Sequence, residues 1–314
     1  MKTFQEKENA CRLLFEEIRA SHGPIWHLYT PGNLQEIVFA DVMDFRYGMN
    51  VLASAALDTP GVFIITFEIM SNHLHVVLAG SEAAVRAFFS LLKKRLRRHL
   101  ALSGRTVSLA CFEAGLKLVE DLESLRNVIA YCNRNNYVID PNHTPFSYLY
   151  GANWLFFNPL VLGRPDCLYG DLTIQQKRSM FHSHTIDYPD TLPVRDGFVS
   201  PEGYCLYKIG EGLFRDARHY FHKISRDIEA YASVAAGIGE TLFYTDDELY
   251  AAACRISSRE YGMSRPSLIG RSEKMALARD LHFNYNASNK QLQRILRLDP
   301  HILNELFPEP MRMS

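Results

Sequence analysis

The sequence is short of the features that assign a chain at once. Its 314 residues hold six cysteines: Cys11, Cys111, Cys132, Cys167, Cys205 and Cys254. They are scattered, with no C-x-x-C, which excludes a disulfide framework and a zinc ribbon and leaves them as small buried hydrophobes. No apolar run is long enough to span a bilayer, so no membrane association is expected. Met1 to Glu8 is polar and charged rather than a basic-then-apolar leader, so the chain is expected in the cytoplasm. An excess of one charge is also missing. With 34 Lys and Arg against 35 Asp and Glu the net charge is −1, so any nucleic-acid surface must be local. There is no internal repeat and no low-complexity tract. What remains, 47% hydrophobic and 22% charged, is ordinary globular composition with enough apolar mass for one large domain or two smaller ones.

The pattern of apolar residues and breakers sets out the elements. Thr3 with Glu6 forms a capping box ahead of Cys11, Leu14, Phe15 and Ile18, predicting a helix to about Ser21 that Gly23-Pro24 ends. Ile25–Tyr29 reads as a strand, and Ile37 to Leu57 as a second helix broken by Thr59-Pro60-Gly61. Val62–Met70 and His73–Leu78 read as paired antiparallel strands joined at Ser71-Asn72. Ser81 to Leu102 is helical, Val107–Val119 holds a further strand, and Asp121 to Tyr137 is a helix. The order β-α-β-β-α-β-α behind a leading helix predicts an α+β domain, with helices packed on one face of an antiparallel sheet.

Beyond about residue 140 the chain loses regularity. Residues 161–239 read as a connector, with one short helix capped by Thr173 and Gln176 and a longer helical stretch over Leu213–Ala235. After Gly237-Ile238-Gly239 comes an all-helical tail, residues 240–314. Thr245 with Glu248, Ser288 with Gln291, and Asp299 before Pro300 mark three helix starts, and Ser272–Leu281 is a fourth helix. Leu277, Leu281, Leu292, Ile295 and Leu296 are expected to form the small core of this tail.

His73 and His75 flank Leu74 within a strand. Positions i and i+2 share a face, so two imidazoles are presented together as half of a divalent-metal site. The same spacing also suits a pair of hydrogen-bonded surface histidines. His182 and His184 repeat it in the polar stretch Lys177 to Asp187, where no strand signal exists, and are read as surface residues. On the helix Asp121–Tyr137, Leu122, Leu125, Ile129 and Cys132 form a buried stripe, with Tyr131 and Asn135 together on its flank. A basic cluster, Lys93, Lys94, Arg95, Arg97 and Arg98, lies on the helix after the histidine strand. It suits phosphate contact or a solvated helix face.

These segments carry a resemblance. Phe67-Glu-Ile-Met-Ser-Asn-His-Leu-His-Val-Val-Leu78, followed by Val128-Ile-Ala-Tyr-Cys-Asn-Arg-Asn-Asn-Tyr-Val138, resembles the single-tyrosine HUH transposases. Within them it is most similar to the REP-associated tyrosine transposases, whose pattern is M-P-N-H-x-H and then Y-x-x-x-N-P-V. Trp26-His27-Leu28-Tyr29-Thr30-Pro31-Gly32 and Ile37-Val38-Phe39 resemble that family's opening strand and following helix. The likeness covers residues 25 to about 150, so the catalytic domain is placed at residues 1–160. Ser71 and Asn136 stand where the family pattern has proline. The resemblance implies a ferredoxin-like HUH domain in which His73, His75 and Asn135 hold Mg²⁺ or Mn²⁺ and Tyr131 is the nucleophile. The substrate would be single-stranded or hairpin DNA, the product a 5′-phosphotyrosine, and the protein a homodimer. A catalytically silent DNA-binding relative is the alternative. The tail resembles the helix-turn-helix module of bacterial replication initiators, which implies DNA contacts from Lys290, Gln291, Arg294 and Arg297.

Overall fold

Local capping sets the helix boundaries in the computed structural model, which describes residues 3–31, 36–139, 146–158, 165–226, 246–285 and 287–307, without the side chains of 135–139, 225–226, 246–248 and 251. Helix α1, Phe4–His22, begins at the Thr3–Glu6 capping box and buries Cys11, Phe15 and Ile18. After strand β1, Ile25–Tyr29, helix α2 spans Val42–Leu57 rather than starting at Ile37. Asp41 caps it by accepting the N–H of Met43 and Asp44. Val38 and Phe39 ahead of it are buried outside any helix, both N–H groups donating to Ser71 O at 2.8 Å. Their apolar side chains are therefore buried ahead of the helix and not within its first turn.

Strands β2, Phe63–Ile69, and β3, Leu74–Ala79, helix α3, Glu82–Leu102, strand β4, Gly115–Val119, and helix α4, Leu122–Ile139, complete the sequence β-α-β-β-α-β followed by a helix. The antiparallel sheet has the order β2-β3-β1-β4. Its central strands are buried on both faces. Leu28, Val76 and Leu78 on one side and His27, His75 and Val77 on the other are all 0% exposed. Helix α2 packs along β2 and α3, whereas α4 covers the histidine side, with the Cys132 thiol 3.6 Å from His75 O. Helices on one face only is thus corrected: a sheet whose middle is buried on both faces must be covered twice.

A buried polar network sets the position of α4. Thr66 Oγ1 donates to Asn133 Oδ1, Asn133 Nδ2 donates to Tyr220 OH at 2.7 Å, and Tyr220 OH donates to Asn153 Oδ1 at 2.6 Å. Asn153 Nδ2 closes the loop on Asn133 O at 2.8 Å. Each of these groups would be costly to bury alone, so the ring ties helix, strand and neighbouring chain together. A second tie is Arg126, 2% exposed, which bonds Glu8 of α1 and donates to Leu213 O. That guanidinium is the first cause that holds the Glu8 carboxyl down at about 2.

The stretch expected as a connector is divided. The chain forms two compact units, Met1–Tyr137 with Asn142–Asp227, and Val138–Pro141 with Ile228–Ser314. Strands β5, Cys167–Leu168, β6, Pro193–Arg195, and β7, Phe198–Val199, form a small sheet beside helix α5, Ile174–Phe181, and helices α6, Tyr207–Gly212, and α7, Ala217–Arg226, follow. Its aromatic residues are a core: Tyr169, Phe181, Tyr188, Leu192, Val194 and Val199 pack with Ala53 of α2. Short strands and turns give little periodicity, which is why this part of the domain read as irregular. The longer helix expected over Leu213–Ala235 is α7 as far as the described residues go.

In the second unit, helices α8, Asp246–Tyr261, α9, Arg271–Tyr285, α10, Asn289–Leu296, and α11, Pro300–Leu306, pack on one another. Ser288 with Gln291 and Asp299 with Pro300 cap as their residue types require; the Thr245–Glu248 cap lies outside the described residues. Leu277, Leu281, Leu292 and Leu296 are buried, and Ile295 is half-buried.

Candidate active site

The register of β1, β2 and β3 assembles a polar patch on the face under α4. His75 lies opposite Tyr29 on β1 and opposite Glu68 on β2, and His27 lies opposite Val77. Opposed residues point to the same side, so Tyr29, His27 and Glu68 share the face of His75. Gly115 of β4, opposite Tyr29, leaves room for that ring. A Cβ there would meet it at 2.3 Å. The facing of Glu68 cannot be read from the sequence, because β2 carries a register shift between Ile64 and Thr66.

His73 sits one residue ahead of β3, its Nδ1 at 2.8 Å from Asn72 Oδ1. The His73 and His75 rings lie edge to face with centroids 5.2 Å apart, so the structure does bring the H-x-H pair together. Tyr131 stands beside them, its ring 5.2 Å from that of His75 and 6.0 Å from that of His27. His75 is fully buried and Tyr131 is 1% exposed, because α4 lies directly on this face. The side chain of Asn135, the third expected ligand, lies outside the described residues. Among the described residues no group of three or more His, Cys, Asp and Glu side chains is arranged to hold a metal ion.

His27 is the residue that motif reading passed over. Its Nε2 lies 3.2 Å from His75 Nδ1, and its ring is wholly buried. Burial first, then the nearby His75 and Lys117, hold its pKa well below the usual imidazole range. A neutral His27 can accept from Nδ1–H of His75, and that proton placement leaves His75 Nε2 as the nitrogen with a lone pair. The available signal was parity: His27 is two residues from Tyr29 and shares its face, but which partner strand it meets is a matter of topology.

The basic cluster divides. Lys93 pairs with Glu113, and Arg95 pairs with Asp58 and bonds Ser54 Oγ at 2.9 Å. Lys94, Arg97 and Arg98 are exposed. In the tail, Lys290, Arg294 and Arg297 are exposed. Gln291 instead closes the α10 capping box, its Oε1 accepting from Ser288 N at 3.1 Å. No known family model matches the chain, and no curated protein or solved structure matches it either.

Proposed function

We propose that the chain is a metal-dependent single-tyrosine DNA nickase-ligase of the HUH transposase type. The first unit would be its ferredoxin-like catalytic domain, and the helical second unit a helix-turn-helix-like DNA-binding module. The observation that carries this reading is Tyr131 against the edge of His75, with His73 alongside. The strand order β2-β3-β1-β4 supports it further, because it puts the histidine strand in the middle of the sheet. His73, His75 and Asn135 would hold Mg²⁺ or Mn²⁺. The donor set suits such an ion: two imidazoles two residues apart at the start of β3, one of them oriented from behind by His27. When bound, the ion would neutralise charge on a non-bridging phosphate oxygen.

Tyr131 Oη would then form a bond to phosphorus while the bond to the 3′ oxygen breaks. The phenol proton is released and the leaving oxygen takes one up, giving a 5′-phosphotyrosine and a free 3′-hydroxyl. Attack by another 3′-hydroxyl reverses the step, so cutting and rejoining need no nucleotide cofactor. Lys94, Arg97 and Arg98 are exposed cations on α3 suited to phosphate. The substrate is single-stranded or hairpin DNA, and the working form a homodimer. Incubation with hairpin-bearing single-stranded DNA and Mn²⁺ should yield an adduct on denaturing electrophoresis. Calorimetry should show Mn²⁺ binding that His73→Ala and His75→Ala each abolish. Equal binding in all three proteins would sink the metal assignment.

One observation favours a second reading, a catalytically silent protein that binds hairpin or repeat DNA: Tyr131 and His75 are both closed off from solvent. Hairpin binding without any adduct, at every Mn²⁺ concentration, would select it.

A further inference from the structure

A second histidine cluster lies in the first unit, away from Tyr131. His99 of α3 places Nε2 at 2.8 Å from Asp44 Oδ1 of α2, and its Nδ1 at 3.4 Å from His182 Nδ1. Tyr47 stacks on His99 with centroids 4.0 Å apart and lies tilted against His182 at 4.5 Å. Asp44 is 5% exposed and accepts throughout: Ala40 N–H donates to it at 2.8 Å, and Arg105 donates to its Oδ2. His182 follows α5 with φ 45°, in the left-handed region where glycine or asparagine would be easier. His99 and His182 both line a cavity of about 500 Å³ between α2, α5 and β6.

The proton positions follow from the carboxylate. Asp44 is only an acceptor, so His99 donates to it from Nε2 and, in the uncharged ring, keeps a lone pair on Nδ1. The 3.4 Å contact then requires His182 to donate from Nδ1. His182 Nε2, on the far side of its ring from His99, is left as an acceptor. The other cavity walls indicate what it meets. Met43, Cys167, Leu172 and Val194 are apolar, Ser179 is small and polar, and Asp166 is a carboxylate. The charged Arg46 is already paired with Asp196, their Nε and Oδ2 3.2 Å apart.

We propose that this cavity is a binding site for a flat, uncharged heterocycle bearing an N–H donor, of the purine-base type, held by His182 Nε2 at the end of the Asp44–His99–His182 relay. The volume suits a small molecule, the Arg46 and Asp166 side chains of its wall are already engaged, by Asp196 and by the Asp196 N–H at 2.7 Å, and the stacked Tyr47 and His99 rings supply a flat side. The inference does not depend on the DNA-cleavage reading, since no residue is shared with it.

The test uses the whole protein at pH 8, with ¹⁵N-histidine and adenine as the probe. Long-range ¹⁵N–¹H spectra should show the proton on Nε2 of His99 and on Nδ1 of His182, and adenine should bind one to one with a shift at His182 Nε2. His182→Asn, which tolerates the left-handed backbone, should weaken binding about three- to tenfold, the worth of one neutral hydrogen bond. A proton on Nε2 of His182, no saturable shift with adenine, or equal affinity in the variant would each overturn the proposal.

Discussion

At the sheet face one imidazole leans on another: His75 Nδ1 meets His27 Nε2, and either ring can own the proton. Beside α2 the pair His99 and His182 hangs from a carboxylate that can only accept, so each proton has one place. Both clusters contain a member of an H-x-H pair, yet the pairs fare differently. His73 and His75 stay together at the start of β3, His75 within the strand and His73 just ahead of it, whereas at the left-handed turn after α5 His182 packs on His99 and His184 is left exposed. Spacing therefore predicts a shared face only at a strand. One member of a histidine pair read as two surface residues, His182, lines a cavity.

The sharpest way to break the comparison is Tyr131→Phe. If the sheet cluster is the catalytic one, this variant loses the DNA adduct on denaturing gels while keeping hairpin and Mn²⁺ binding. Persistence of the adduct moves the nucleophile elsewhere.

Next in size is Asp44→Asn, which removes the charge that Arg105 and His99 share. Breaking such a buried pair costs about 3–5 kcal/mol, read as a lower urea midpoint. A loss under about 1 kcal/mol would mean the relay is not anchored there. Burial pushes the Asp44 pKa up, but the Ala40 N–H, His99 and Arg105 outweigh it and leave it below the usual value. A depressed carboxyl stabilises above its unfolded value and ceases to do so as pH falls. Stability should therefore drop below pH 3.8 in the wild type, and less so in the variant.

A salt bridge outside both clusters gives a baseline of similar sign. Glu8, held at about 2 against an ordinary 4.5, should contribute on the order of 2–3 kcal/mol above pH 4.5 that is lost towards pH 2. Glu8→Gln should flatten that limb of the stability curve; an unchanged slope would place the acid sensitivity elsewhere.

His27→Gln tests the sheet cluster from behind. Losing the group that orients a metal ligand weakens affinity about 10–100-fold, so Mn²⁺ titration should show that drop with a smaller stability loss than Asp44→Asn. Unaltered affinity would remove His27 from any orienting role.

The smallest effect separates the two units. Lys290→Ala should weaken hairpin binding and lower the slope of log K against log salt by about 0.7–0.9, one phosphate contact. An unchanged slope would make the second unit a packing module.

Much of this protein was legible before folding. The capping boxes at Thr3, Thr173 and Ser288 are local hydrogen bonds between residues three apart, and the strand at Ile25–Tyr29 follows from alternation. The caps and that strand span a few residues, so the order of side chains determines them; His73, just ahead of β3, keeps to His75 outside strict strand alternation. Tertiary structure alone decided the rest. Pairing β1 with β3 brought His27 to His75; a bulge in β2 set the face of Glu68; and packing of α4 sealed Tyr131. The aromatics of residues 169–199 found their core on α2, far away in sequence. Such contacts depend on register and on which surfaces must leave water together, and neither is encoded in the spacing of neighbours.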